Sequence, residues 1–310
     1  MKKFSWIKKG LLFQQGVQGL THASHPVIIH YKDDIFILGF TSRNHESKSH
    51  IFICYVKIEE EQIIFLSEPK MILQPGDLGF FDCDGVISCC LVKNDGVCYL
   101  YYVGWQNLPN NMWICDTGRA IVDMDNLTAY KQFEGPIFGR DRNHPLFVAA
   151  TAFYITPDKV WHTFYNSGIK WEIQGEQIKH YYGLHHATSI DGIDWVPDID
   201  RKMCIPFKDE YEYAFGRPSI VFWDDKFHMW YAHRATKHID AYRIGYSYST
   251  DCVNWVRDDE NSGIDVSEKG WDSEMICYPC VFDHAGNRFM LYNGNEYGRT
   301  GFGYAILKYE

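Results

Sequence analysis

Residues that can transfer protons or bind polar groups cluster at the starts of five short apolar segments. The segments are "HPVII" from His25, "DGVIS" from Asp84, "HPLFV" from His144, "RPSIV" from Arg217 and "YPCVF" from Tyr278. Further acids lie close to them in the chain, namely Asp82, Asp141, Glu212 and Glu274. If the segments converge, these side chains can exchange protons and bind hydroxyl or anionic groups. The alternative for any one of them is a structural role at a strand end or around a central ion.

The five segments open units that predict β-strands. A turn sequence and an aromatic segment follow each one, as in "NDGVCYLYYVG", "WDDKFHMWYA" and "HAGNRFMLYNG", so each pair predicts a hairpin. A third strand follows in every unit, and "WVPD" and "WVRD" begin a fourth strand in two of them. The units begin about 60 residues apart, which is typical of a repeat architecture.

Four antiparallel strands repeated five times predict an all-β fold, a five-bladed β-propeller, in which radial repetition protects the sheet edges. A two-sheet sandwich is the alternative, but it does not require five copies at one period. We expect one domain over residues 1–310, with blades at 24–66, 67–133, 134–200, 201–261 and 262–310. Because the last unit ends without a fourth strand, we expect residues 4–13, which contain "WIKK", to supply it and close the ring.

The pattern Ser-x-Asp-x-x-x-Trp occurs twice, at Ser189–Trp195 and at Ser249–Trp255. In each copy it falls between the third strand and the outer strand. Ser and Asp side chains hydrogen-bond turn backbone, and a Trp can pack between blades. We therefore interpret this pattern, including Asp191 and Asp251, as structural.

Composition restricts the partners and the compartment. The 310 residues carry a formal net charge of -10 without a Lys/Arg cluster, so we expect neither nucleic acid nor an anionic membrane as a partner. No apolar run is as long as a membrane span. Ten cysteines without an export signal predict reduced thiols and a cytoplasmic protein. "CYPC" has no second pair at matching spacing, so we expect no metal site there. The oligomeric state stays open.

Several motifs resemble a known group of proteins. "GRPSIVFWDDKFHMWYAHR" and "IGYSYSTDCVNW" resemble the five-bladed glycoside hydrolases of families 32, 43, 68 and 130. "GWDSEMICYPCVFDHAGNRFMLYNGNEYGRTGFGYAIL" resembles glycosidase-like proteins encoded with bacterial surface-polysaccharide genes. The resemblance implies a role in carbohydrate metabolism or polysaccharide biosynthesis. It also implies that a small saccharide or an activated sugar binds in the axial funnel and that carboxylates carry out the chemistry.

The chain departs from family 43 at two catalytic positions. His25 stands where the family places an Asp before the first-blade proline, and Gly216 stands where it places a Glu before the fourth-blade proline. The standard carboxylates therefore do not carry over to this sequence.

Other residues offer replacements. We expect Glu274 as general acid, Asp82 or Asp84 as base, and Glu212 or Asp141 as a neighbour that tunes the pKa of the acid. The expected substrate-binding residues are His25, His144, Arg217, Arg234, Tyr278, His185 with His186, Asn293, Asn295 and Trp105. Arginines and histidines would bind hydroxyls, a carboxylate or a phosphate, and aromatic rings would stack on the sugar.

The expected function is that of an enzyme that cleaves or transfers a glycosyl group of a small saccharide, glycosyl phosphate or nucleotide sugar. Two alternatives stay open, an inverting glycoside phosphorylase and a non-catalytic sugar-binding propeller. We expect no cofactor, apart from an ion that the central channel could hold.

Overall fold

The computed structural model describes residues 3–14, 19–175, 177–198, 202–237 and 239–309. Within these ranges the architecture is all-β, with three hydrogen-bonded sheets of four, nine and eight strands. In each of the two larger sheets one parallel pairing, of Ser49 with Gly85 or of Tyr182 with Ala214, joins two antiparallel groups, so the strands are described below as five groups. The N-terminal strand β1 (Phe4–Phe13) joins the last of these groups.

The first group contains β2 (Thr21–Lys32), β3 (Ile35–Arg43) and β4 (Ser49–Glu59), with the short strands β5 (Gln62–Phe65) and β6 (Lys70–Leu73) both paired with β4. The second contains β7 (Gly85–Asn94), β8 (Val97–Leu108), β9 (Met112–Asp123) and β10 (Thr128–Lys131), with a 3₁₀ turn at Pro109–Asn111. The predicted turn between β7 and β8 is confirmed, since Asp95 and Gly96 both have positive φ, as tight hairpins of this kind require.

The third group contains β11 (Val148–Ile155), β12 (Trp161–Gln174), β13 (Gln177–Ser189) and β14 (Val196–Pro197). The fourth contains β15 (Ala214–Trp223), β16 (Lys226–Arg234), β17 (Arg243–Ser249) and β18 (Val256–Arg257), with a 3₁₀ turn at Asp259–Asn261. The fifth contains β19 (Cys277–His284), β20 (Asn287–Asn293) and β21 (Phe302–Tyr309), with the helical turn α1 (Asn295–Gly298) between the last two.

Strand β1 forms the outer strand of the fifth group. It pairs antiparallel with β21 from Phe4 opposite Tyr309 to Phe13 opposite Phe302. The Trp6 side chain is buried, and its ring lies 5.3 Å from the Trp230 ring of the fourth group. The prediction that residues 4–13 supply this strand is therefore confirmed.

Apolar clusters lie between neighbouring groups and join them. Representative pairs, from the junction of groups one and two onward, are Ile37 with Leu100, Tyr101 with Phe153, Phe164 with Met229, Trp230 with Met290, and Phe289 with Phe36. The last pair joins the fifth group to the first. The first strands follow the same cyclic order, since β2 contacts β7, β7 contacts β11, β11 contacts β15, β15 contacts β19, and β19 contacts β2.

The repeated Ser-x-Asp-x-x-x-Trp pattern forms the turn between the third and outer strands of groups three and four. The Asp191 carboxylate accepts hydrogen bonds from the N–H groups of Ile193 and Asp194 at 2.8 and 3.0 Å. Asp251 makes the same bonds to the second copy of the turn. Trp255 packs on Phe164 of the third group, with ring centroids 5.5 Å apart. The structural interpretation of the pattern is confirmed.

The cysteines are thiols, and the helical segments are short. All ten cysteines are free, as predicted, and most are buried. Cys277 and Cys280 lie in β19, where "CYPC" was expected to open a strand. Within the described part of the chain, no helix is long and apolar enough to cross a membrane.

Candidate functional site

A cavity of about 510 Å³ lies where the first strands of the five groups meet. All five groups contribute to its wall, which includes His25, Cys89, Thr151, Arg217 and Tyr278 from β2, β7, β11, β15 and β19. Its volume falls in the range of small-molecule sites.

A β-bulge explains how each first strand places a side chain in this wall. The strand register shifts between Ser24 and Val27, Ser88 and Cys90, Ala150 and Ala152, Gly216 and Ser219, and Cys277 and Cys280. The five wall residues lie inside these five shifts. A bulge bends the strand and re-aims a side chain, so the same irregularity turns one residue of every group toward the cavity.

The wall is cationic. Arg43, Arg217 and Arg234 line it, and the described residues of the wall include no Asp or Glu. Arg217 is only 4% exposed; its Nε donates to the Cys89 carbonyl at 3.1 Å, and its Nη1 has no hydrogen-bond partner among the described residues. The Arg234 Nε atom lies 2.9 Å from the carboxylate of Asp240, which is itself exposed to solvent. The cavity is therefore suited to a ligand with negative charge.

Two histidines of the wall are neutral at pH 7. The His25 ring stacks on the Tyr278 ring, with centroids 3.9 Å apart. Burial, together with Arg217 and Arg43, lowers the pKa of His25 well below its ordinary value. Burial and Arg234 lower the pKa of His180 to about 4. Both rings therefore offer hydrogen bonds without adding charge.

Aromatic rings form much of the remaining wall, namely Trp105, Trp113, Tyr182, Tyr242, Tyr278 and Tyr297. The hydroxyl groups of Tyr182 and Tyr242 hydrogen-bond to each other. Burial raises the pKa of Tyr182 to about 12, so this hydroxyl stays protonated. Rings with polar edges can stack on an apolar sugar face and hydrogen-bond its hydroxyls.

Five of the predicted binding residues line the cavity: His25, Trp105, Arg217, Arg234 and Tyr278. His144 and His185 lie together outside the wall, with ring centroids 5.5 Å apart, and both contact Tyr165. His186 lies in another buried cluster, where its ring bonds Asp198 and His162.

The side chains of Asn293 and Asn295 hydrogen-bond to backbone groups and are not part of the cavity wall. Asn293 accepts from the His25 N–H at 2.8 Å and donates to the carbonyls of Ala23 and Gly301. Asn295 accepts from the N–H groups of Glu274 and Met275 at 2.9 and 3.1 Å. These amides fix the loops around the start of β19 and β2.

None of the five predicted catalytic carboxylates is part of the wall. Asp82 is buried and lies 2.6 Å from the Lys131 ammonium group. Asp141 is exposed and accepts hydrogen bonds from the N–H groups of Asn143 and His144. Glu274 is exposed, in contrast to the partial burial that its expected role as general acid requires.

Glu212 and Asp84 have defined partners. Arg257 donates to both oxygens of Glu212 at 2.6 and 2.7 Å, and His233 Nδ1 lies 2.9 Å away. Burial raises the pKa of Glu212, but the bonds from Arg257 and His233 outweigh this and lower it to about 2. Asp84 accepts a hydrogen bond from the N–H of Asn107 at 2.7 Å, and Asn107 lines the cavity. Asp84 is thus the predicted acid with a direct link to the wall.

The sequence interpretation missed several wall residues: Arg43, Asn166, His180, Tyr182, Tyr242 and Tyr297. Arg43 ends β3, and Tyr182 lies in β13, so these side chains come from second and third strands rather than from strand starts. The signal that could have found Arg43 is a cation at the end of an otherwise apolar strand, "IFILGFTSR".

In the described ranges, no group of three His, Cys, Asp or Glu side chains is arranged to hold a metal ion.

Several solved structures of glycoside hydrolases share this architecture. A glycoside hydrolase aligns with a TM-score of 0.73 at 16% identity and covers 97% of this chain and 90% of its own. A thermostable family-43 glycoside hydrolase gives a TM-score of 0.62 at 14% identity, covering 96% and 92%. The GH43_1 enzyme from Xanthomonas citri complexed with xylose gives 0.59 at 11% identity, covering 92% and 86%. The chain thus has the fold of the propeller-type glycoside hydrolases.

Sequence relatives define the family more narrowly. Two proteins of Mycobacterium tuberculosis, the uncharacterized proteins MT1551 and Rv1502, are each 33% identical to this chain over 311 residues. The alignments cover 98% of this chain and 99% of each relative. The chain belongs to the family of these two proteins. No family model matches it.

Proposed function

We propose that the five strand groups are the blades of one five-bladed propeller over residues 1–310, with the blade limits expected from the sequence. Strand β1 closes the ring as the outer strand of the last blade. The cyclic order of contacts among the first strands and the apolar cluster between groups five and one support this arrangement. In a ring of this kind the cavity lies on the axis.

We further propose that this cavity binds a saccharide. The observation that carries the proposal is the composition of the wall, which combines stacking rings, neutral histidines and arginines without a described carboxylate. The fold shared with glycoside hydrolases supports it, as does the xylose bound by one of these neighbours. Among the expected functions, the geometry favours non-catalytic or single-carboxylate sugar recognition over hydrolysis. Hydrolysis normally needs two carboxylates across the scissile bond.

A second candidate is transfer of a glycosyl group with one protein carboxylate, as in phosphorolysis. Asp84 is the residue that favours it, because its carboxylate is bonded to the backbone of the wall residue Asn107. In that reaction phosphate would replace the second carboxylate, and the arginines would bind it. Glu274 as general acid stays a prediction, with an exposed side chain that lends it no support.

Binding and turnover measurements together test these proposals. Isothermal titration calorimetry with a panel of monosaccharides and their phosphates is expected to show saturable binding. Trp105→Ala should weaken that binding about tenfold or more, since a stacking face is lost. Tyr130→Ala, which removes an exposed ring outside the wall, is the matched control. Absence of binding across the panel at millimolar concentrations would refute the proposed function.

Turnover separates the two candidates. Aryl glycosides and glycosyl phosphates are incubated with and without inorganic phosphate. The sugar-binding function predicts no product in either condition. Phosphate-dependent product that Asp84→Asn abolishes would establish the second candidate, and phosphate-independent hydrolysis that Glu274→Gln lowers would restore the general acid expected from the sequence.

A further inference from the structure

The charges of the cavity wall do not balance within the protein. Arg234 has Asp240 as an ionic partner, whereas Arg43 and Arg217 have no carboxylate partner in the described part of the chain. A buried charge without a partner is costly, and proteins normally pair it or use it to bind a ligand. The guanidinium groups of Arg43 and Arg217 are therefore available to bind an anionic ligand in the cavity.

One nitrogen of the Arg217 guanidinium is hydrogen-bonded, and another has no hydrogen-bond partner among the described residues. Its Nε bonds the Cys89 carbonyl, which anchors the side chain between β15 and β7. Its Nη1 has no described partner although the residue is almost fully buried. A guanidinium held in this way is ready to donate to an anion without further loss of side-chain freedom.

Arg43 and Arg217 act on the same part of the wall. Both line the cavity together with His25. Burial is the larger cause of the lowered pKa of His25, and the charges of Arg217 and Arg43 add to it. The Tyr278 ring that stacks on His25 also experiences the charge of Arg43. Arg43, Arg217 and the stacked His25–Tyr278 pair thus line the same cavity, and the pair offers a face for a sugar ring.

We propose that the ligand of this cavity is a phosphorylated sugar and that Arg217 and Arg43 bind its phosphoryl group. This inference rests on the proposed saccharide-binding function and specifies the ligand. A phosphate monoester carries a charge close to −2 at neutral pH and neutralises both cations, whereas a uronic acid carries one charge and leaves one of them unpaired. A sugar diphosphate ester, as in a nucleotide sugar, also supplies two charges.

Calorimetry with matched ligands tests the proposal on the full chain. The probes are glucose, mannose and galactose, their 1-phosphates, their uronic acids, UDP-glucose and inorganic phosphate. At least one 1-phosphate or UDP-glucose is expected to bind about 100-fold more tightly than its parent sugar and about tenfold more tightly than the uronic acid. Preference for UDP-glucose identifies a diphosphate ester as the source of the charge, and preference for a 1-phosphate identifies a monoester.

Other results of the panel overturn the proposal in distinguishable ways. Equal affinity for parent sugar and phosphate would reject the phosphoryl site and leave saccharide binding intact. Tightest binding of a uronic acid would replace the phosphoryl group by a carboxylate. Binding of inorganic phosphate with no sugar contribution would reject both the inference and the saccharide function.

Variants locate the binding group. Arg43→Gln should lower the affinity for the phosphorylated sugar about tenfold or more and the affinity for the parent sugar much less, so that the preference for the phosphorylated sugar falls. Arg217→Gln should also lower the affinity for the phosphorylated sugar. Because Arg217 is buried, this variant could fail to fold, and in that case Arg43→Gln alone tests the proposal. Arg288→Gln removes an arginine that pairs with Asp283 outside the wall and serves as the control. Unchanged preference for the phosphate in Arg43→Gln would overturn the proposal.

Discussion

Glu212 shows how a buried acid can serve the fold rather than a reaction. Arg257 and His233 surround its carboxylate, and no part of it reaches the cavity wall. A general acid needs a pKa near the working pH, whereas the pKa of Glu212 is lowered to about 2. The geometry therefore does not support its expected role as a neighbour of a catalytic acid. Its pairing with Arg257 and His233 supports a role in stability instead.

Glu212→Gln should lower the free energy of unfolding by about 3 kcal/mol at pH 7, because Arg257 loses a buried partner. The depressed pKa means that the stabilisation is present above the unfolded-state value of about 4.3 and is lost as the pH falls toward 2. Urea unfolding between pH 7 and pH 3 measures this, and the variant should show a flatter decline on the acid side. Glu210→Gln, at an exposed neighbouring position, is the control. Equal stability of Glu212→Gln and wild type at pH 7 would contradict this role.

Three of the five wall residues at the bulges were among the binding residues expected from the sequence, and there is a physical reason for this. His25, Arg217 and Tyr278 each precede a proline, and proline in a strand marks a bulge because it cannot donate to the ladder. The second and third groups have Cys89 and Thr151 at their bulges, with no proline after them. The pattern indicated Asp84 and His144 instead, which lie before the strands. His144 does precede a proline, Pro145, but that proline lies outside β11 and marks no bulge.

At the scale of elements, β1 is the strand that depends most on distant parts of the chain. Its Trp6 packs on Trp230, and its Lys8 ammonium lies 2.7 Å from the buried carboxylate of Asp272. The pairing of β1 with β21 was predictable because "WIKK" resembles the outer strand of the preceding unit. The two outer strands β5 and β6 of the first group were not, since neither carries a comparable Trp signal.

Trp6→Ala should destabilise the protein by about 3 to 5 kcal/mol, because it leaves a cavity between groups four and five. Ile7→Ala is the matched control, since the next residue on the same strand is 46% exposed and should cost less than 1 kcal/mol. Deletion of residues 1–13 should cost at least as much as Trp6→Ala, because it also uncovers the edge of β21. Chemical denaturation measures all three, and a deletion variant as stable as the full chain would show that β1 is dispensable.

At the scale of the whole molecule, the junction between the first and fifth groups is the contact on which the proposed ring depends. Asn293 is fully buried there, and its side chain bonds the backbone on both sides of the junction, at His25 and Ala23 in the first group and at Gly301 in the fifth. The repeat period predicted that such a junction exists. The repeat period could not indicate that the Asn293 side chain connects the two groups, because an Asn near a strand end fits a binding role equally well.

Asn293→Ala should lower the free energy of unfolding by about 2 to 3 kcal/mol, since it leaves buried backbone groups without partners. It should also increase amide hydrogen exchange in β2 and β20 more than in β11 and β12, which lie in another group. Asn287→Ala, in the turn that begins β20, is the control. Exchange that rises equally in all groups would argue against a local junction.

The most direct measurement is a crystal structure of the protein soaked with the tightest-binding sugar or sugar phosphate of the calorimetric panel. Saccharide binding in the cavity predicts a sugar ring within about 4 Å of Trp105 or Tyr278, in van der Waals contact. If the ligand is phosphorylated, its oxygens should lie about 3 Å from the Arg217 guanidinium. A ligand bound elsewhere on the surface, with only solvent in the cavity, would contradict the proposed function.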